Sequence, residues 1–203
     1  TVTRTFTISK ADQAITGPAS VYKKKFGNKA FFLKASARTA LKYSSSNGKI
    51  ATVNKTGKVT IKGAGSAKIT ITASASANYN GAKKVVTIKV AKIKPTFKIN
   101  KKDQKKTLKL SALKKKSQTF SPRITVNSKA KITYSLSGVK SGKKKLSAKQ
   151  YKKLFTVNKN SGKITVVKGI KKGVYTLTVK ASAIAKGSYL KGSNAFTITV
   201  TVK

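Results

Sequence analysis

Asp12 and Asp103 are the only acidic side chains in this 203-residue chain, which has no histidine and no cysteine. Metal hydrolysis needs clusters of His, Cys or carboxylate ligands. Paired-carboxylate acid–base work needs both acids at one site. Here Asp12-Gln13 and Asp103-Gln104 stand at matching positions of an internal repeat, so the two acids lie about a domain apart. No Gly-x4-Gly-Lys-Ser/Thr phosphate loop occurs. Ser20-x-x-Lys23 and Ser137-x-x-Lys140 have the spacing of a Ser–Lys nucleophile pair, but so many lysines produce such matches by chance. The residue inventory therefore predicts no catalytic residues, no bound metal and no cofactor.

Three readings of the two aspartates stand open. Asp commonly closes a turn by bonding to nearby backbone. Each could instead neutralise neighbouring lysines at the base of a domain. The third is a carboxylate assisting a Lys–Asn isopeptide cross-link.

The abundant chemistry is cationic. Lys plus Arg number 47 against the two acids, a net charge of +45. Only Arg4, Arg38 and Arg123 are arginines; the other 44 are lysines. Reference pKa values leave almost nothing to titrate between about pH 5 and 9, so that charge is nearly constant. Arginine offers a rigid two-toothed fork for base or phosphate readout, whereas lysine is a mobile point charge. Diffuse, sequence-independent attraction to polyanions follows, with a steep salt dependence.

The clusters predicted to bind are Lys23, Lys24 and Lys25 in the first half, and Lys101, Lys102, Lys105 and Lys106 at the start of the second. Lys114, Lys115 and Lys116 follow, then Lys143, Lys144 and Lys145. Lys149, Lys152, Lys153, Lys171 and Lys172 complete the set. Residues 1–92 hold 18 basic residues and residues 93–203 hold 29, so the second half is expected to bind more strongly. Isolated lysines such as Lys58 and Lys89 read as ordinary solvated positions. Two lysines about 10 Å apart in water repel by roughly 0.4 kcal/mol, a term that opposes compactness when summed over a dense coat.

These side chains need a scaffold, and an internal repeat predicts one. Phe6-Thr-Ile8 through Gln13 matches Phe97-Lys-Ile99 through Gln104. Tyr43 matches Tyr134. Thr52 to Thr60 matches Thr156 to Thr165, with one extra residue in the second turn. Ile69 to Ala75 matches Leu177 to Ala183, and Tyr79 to Val90 matches Tyr189 to Val200. Two domains are expected, 1–92 and 93–203, joined by a short, semi-rigid linker. Period-two alternation predicts strands at Lys58–Lys62, Lys68–Thr72, Val85–Val90 and Phe196–Val202, divided by turns such as Thr56-Gly57 and Ser161-Gly162. Many short strands at this spacing predict an all-β pair of sandwiches. The recurring aromatics Phe6, Phe97, Tyr43, Tyr134, Tyr79 and Tyr189 are expected in the cores.

The second copy carries an insertion near 138–154. Gly138 to Lys145 reads as a flexible basic loop. Ser147 and Gln150 then have capping-box spacing. Tyr151, Leu154 and Phe155 share one helical face opposite Lys149, Lys152 and Lys153. One short amphipathic helix, docked on the sandwich, is predicted.

Leu41-Lys-Tyr43-Ser-Ser-Ser46-Asn47, Ile50-Ala51-Thr52-Val53, Gly57-Lys58-Val59-Thr60, Gly65-Ser-Ala67 through Ala73 and Asn78-Tyr79 resemble the group 2 bacterial immunoglobulin-like domain, a family similar to the repeats of intimin- and invasin-type adhesins. The resemblance covers nearly all of residues 1–92 and is looser over 93–203. It implies immunoglobulin-like sandwiches without shared catalytic residues, serving as adhesion modules or stalks at the bacterial cell surface. Expected partners are polyanionic glycans, anionic cell surfaces and extracellular DNA. No apolar run approaches the roughly 18 residues that span a membrane. The chain opens inside a strand-like stretch and is read as a monomeric part of a longer multi-repeat protein.

Overall fold

The structure, a computed structural model, describes residues 2–203. The chain divides into two compact units, Thr1–Ile93 and Lys94–Lys203.

The first unit contains β1 (Val21–Lys25), β2 (Phe31–Phe32), β3 (Leu41–Ser45), β4 (Ala51–Val53), β5 (Lys58–Ile61), β6 (Gly65–Ala73) and β7 (Ala82–Ala91). They form a four-stranded sheet ordered β1-β7-β6-β3 and a three-stranded sheet ordered β2-β5-β4. The β1–β7 pair is parallel. Alternate side chains of a strand point to opposite faces. So Ala67, Ile69, Ile71 and Ala73 of β6 and Val86, Ile88 and Val90 of β7 are buried, and they meet Leu33, Ala51 and Val59 in one core.

The second unit contains β8 (Phe97–Ile99), a 3-10 turn (Lys101–Gln104), β9 (Lys105–Leu108), α1 (Leu110–Lys115), β10 (Gln118–Phe120), β11 (Ile124–Val126), β12 (Ile132–Ser141), β13 (Lys144–Lys145), α2 (Ala148–Leu154), β14 (Phe155–Val157), β15 (Ile164–Val166), β16 (Gly173–Ala183) and β17 (Gly192–Val202). Its main sheet is ordered β13-β12-β16-β17-β9, beside a β10-β15-β14 sheet and a β11-β8 pair. Phe155, Leu177, Val179, Ile198 and Val200 lie in its larger core; Phe97, Ala181 and Phe196 lie in a smaller one.

Both units are built mainly of β-strands; the predicted strands Lys68–Thr72, Val85–Val90 and Phe196–Val202 lie within β6, β7 and β17, and Lys58–Lys62 runs one residue past the end of β5 at Ile61. The predicted helix is α2. Ser147 accepts from the Gln150 N–H, and the Gln150 side chain accepts from the Ser147 N–H. Tyr151 and Phe155 are buried beneath it.

Other expectations are corrected. Residues 138–145 are not a loose loop. β12 runs to Ser141, turns at Gly142 with φ +56°, and returns as β13, with Lys140 level with Lys145. The structure also adds α1, which buries Leu113 but has no side-chain cap at its start; six residues without a cap leave no sequence signature. Phe97 is buried and pairs with Val126 on β11. Its counterpart Phe6 is 85% exposed, and residues 2–10 lie outside every strand, so Phe6 is not a core residue. Finally, the ladders shift one repeat match by two residues. Tyr43 pairs with Ile71 and Tyr134 with Ala181, which makes Ile69 equivalent to Val179, not to Leu177.

Candidate functional site

Strand geometry sorts the lysines. In β1, Lys23 and Lys25 point outward from the four-stranded sheet, while Lys24 points to the other side, with its Nζ 4.3 Å from the centre of the Phe31 ring. A period of two thus splits a cluster that is contiguous in sequence. In the second unit, Lys101 and Lys102 are exposed on the 3-10 turn, and Lys105 and Lys106 are exposed on the edge strand β9. Lys114 and Lys115 end α1, and Lys116 follows as its cap residue. Lys143, Lys144 and Lys145 form the tip and return of the β12–β13 hairpin. Lys149, Lys152 and Lys153 are exposed on α2. Lys171 and Lys172 precede β16, where the Lys171 carbonyl accepts from the Tyr175 hydroxyl at 3.0 Å.

The structure distributes these clusters over several elements of the second unit. Only Lys105 and Lys145 reach the outward face of its main sheet, joined there by Lys140 and Lys180. That face is otherwise dominated by hydroxyls, with Thr176 level with Thr199, Thr178 with Thr197, and Thr107 with Thr201.

The outward face of the first unit is different. Lys23 is level with Lys89, Lys68 with Thr87, and Lys42 with Thr72. Lys25 and Lys83 complete six exposed lysines on one four-stranded face. Contiguous clusters do not reveal Lys42, Lys68 and Lys89. Their signal is one lysine at an outward position of a strand, which becomes a group only when the register is known.

The acids do little to offset this charge. The Arg123 backbone N–H donates to Asp103 Oδ2 at 2.8 Å, and the Arg123 Nε donates to the same oxygen at 3.3 Å. The backbone bond first, then the guanidinium's bond and charge, hold the Asp103 carboxyl below its ordinary value. Asp103 therefore ties two segments 20 residues apart instead of closing its own turn; Asn100 does that by accepting from the Lys102 N–H. Asp12 accepts from Asn80 Nδ2 at 2.8 Å on the exposed surface. Neither aspartate is ion-paired to a lysine: Arg123–Asp103 is the only ion pair among the described residues. The structure brings an asparagine to Asp12 but no lysine ammonium, so the cross-link geometry is absent there. No group of three or more His, Cys, Asp or Glu side chains gathers among the described residues.

The two units share a tyrosine-on-glycine packing. The Tyr43 ring lies against Gly57, where an added Cβ would meet it at 3.0 Å; the Tyr134 ring lies against Gly162, where a Cβ would meet it at 2.9 Å. Both glycines have positive φ, +74° and +69°. Burial raises both tyrosine pKa values above the ordinary one.

Residues 29–75, which include Tyr43 and Gly57, match the family model described as the intimin immunoglobulin-like domain. That segment is similar to an intimin-type immunoglobulin-like domain. Solved structures that match the chain include human protocadherin-24 EC1-2, at 17% identity over 94% of this chain and 98% of that one, with a TM-score of 0.45. Drosophila N-cadherin EC1-3 matches at 16% identity over 96% and 68%, with a TM-score of 0.42. The insect immune protein hemolin matches at 16% identity over 99% and 49%, with a TM-score of 0.46. No curated protein sequence matches the chain. An intimin-type immunoglobulin-like domain fits an adhesion or spacer role at a cell surface, and such domains are typically non-catalytic. No helix among the described residues is long and apolar enough to cross a membrane.

Proposed function

We propose that this protein is a non-catalytic adhesion module of a bacterial cell surface that binds polyanions through its lysines. Sulfated glycans, mucin-type anionic glycans, extracellular DNA and anionic cell surfaces are the partners that match its charge. The observation that carries this reading is the single ion pair among the described residues, in a chain with 47 basic side chains. Lysines without carboxylate partners repel one another, and an external polyanion both relieves the repulsion and releases its own counterions. Lys101, Lys102, Lys114–Lys116 and Lys143–Lys145, all exposed, supply mobile point charges from the second unit.

A heparin column run beside a sulfonate exchanger of matched charge density, over one salt gradient, tests the reading. Elution from heparin at clearly higher salt supports an arranged polyanion site. Equal elution means that only bulk charge is read. The family likeness would then favour a passive stalk or spacer, with the charge serving solubility.

A further inference from the structure

The outward face of the β1-β7-β6-β3 sheet carries its lysines in a specific order. Lys23 and Lys89 stand directly opposite each other on adjacent parallel strands. Like charges in that position destabilise a sheet, so the pairing works against the fold of the free protein. Lys25, Lys89 and Lys68 lie on one diagonal across β1, β7 and β6. Each step along it covers two residues of strand and one strand spacing, about 8 Å.

The second unit shows that this charge is not a requirement of the fold. The ladders make Lys25, Lys68 and Lys89 equivalent to Thr107, Thr178 and Thr199. Lys42 corresponds to Thr133 and Lys83 to Ser193. Only Lys23 meets a lysine, Lys105. The second unit's face has its own lysines, Lys105, Lys140, Lys145 and Lys180, but carries threonines where the first has the diagonal row Lys25, Lys89 and Lys68.

We propose that the outward face centred on Lys23, Lys25, Lys68 and Lys89 binds a linear sulfated polysaccharide. The proposal rests on the polyanion reading above and gives it a place and a ligand class. Among the residues between the lysines, Ser66, Thr70 and Thr87 offer hydroxyls that donate to sulfate oxygens and exchange hydrogen bonds with sugar hydroxyls, beside the exposed Val21 and Val85, which can pack on the apolar face of a sugar ring. The face has no aromatic ring to stack a base, no arginine fork to read a base edge, and no helix to enter a groove. It is suited to a chain of separated anions on a hydroxylated backbone.

The test measures binding of the full chain to heparin and, separately, to duplex DNA at one salt concentration. The variant Lys25→Thr/Lys68→Thr/Lys89→Thr gives the first unit the residues that the second already carries. The variant Lys49→Thr/Lys55→Thr/Lys62→Thr removes the same charge from turns and segments off that face. The face variant should lose at least about tenfold in heparin affinity, the control variant far less, and DNA binding should fall equally in both. Circular dichroism melting confirms that each variant is folded. In the opposite direction, Thr107→Lys/Thr178→Lys/Thr199→Lys should strengthen heparin binding by building the same row in the second unit.

Equal heparin losses in the face and control variants would overturn this surface while leaving the general reading intact. A larger loss on DNA than on heparin would overturn the ligand class. If the unaltered chain prefers heparin no more than it prefers a sulfonate exchanger, the general reading falls and the surface falls with it.

Discussion

At the scale of single residues, the two tyrosine–glycine contacts decide more than any charged group. Gly57 and Gly162 adopt left-handed backbone that other residues adopt only at a cost of about 1–3 kcal/mol, and a tyrosine ring closes the space where a side chain would begin. Gly57→Ala and Gly162→Ala should each lower stability by at least about 1 kcal/mol, read from urea denaturation midpoints. Asp103 sets the acid limit. Its folded pKa is lowered from the ordinary 3.8, so the stability it contributes is present above that value and is lost as pH falls through the lower folded value. Tyr43, Tyr134 and Tyr175 act at the other end, because burial raises them above 10.0. Their contribution is present below that value and is lost as pH rises through the raised one. Thermal melts across pH 2–9, where the lysines keep their charge, should show a plateau with an acid edge, and Asp103→Asn should reduce the acid-side loss. The turn residues were legible in the sequence as Thr56-Gly57 and Ser161-Gly162. The partner of Asp103 was not, because Arg123 is brought to it by the β8–β11 pairing.

At the scale of elements, α2 shows how a short helix survives with no acidic side chain in its first turn. Its capping box satisfies the start, and Tyr151 and Phe155 anchor it to the core. Phe155→Ala, at a fully buried position, should cost about 3–5 kcal/mol, and Ser147→Ala about 1 kcal/mol, both measured by denaturant unfolding. The capping spacing and the apolar face made α2 readable in advance. The preceding hairpin was hidden, because Gly138 to Lys145 looks polar and flexible until β16 offers β12 a partner. Three edge strands of the main sheets, β1, β9 and β13, each carry two or more lysines, which discourages edge-to-edge pairing there.

At the scale of the whole molecule, the net charge of +45 makes stability a function of ionic strength. Screening shortens the reach of repulsion from about 30 Å at 0.01 M salt to about 10 Å at 0.1 M. The melting temperature should therefore rise over that interval and rise further with heparin, as scanning calorimetry would show. A melting temperature indifferent to both would mean that self-repulsion is unimportant here.

Composition alone determined that this chain is cationic, with no histidine, no cysteine and only two acids, since those properties are sums over residues and need no geometry. Period-two alternation and the repeat determined the β class for a similar reason: both are local along the chain. Only the tertiary structure decided which lysines stand together. Lys24 leaves its neighbours because successive strand residues face opposite ways, and Lys68 and Lys89 join Lys23 because hydrogen-bonded ladders place them level or diagonal. Register is a relation between strands distant in sequence, and no single strand contains it.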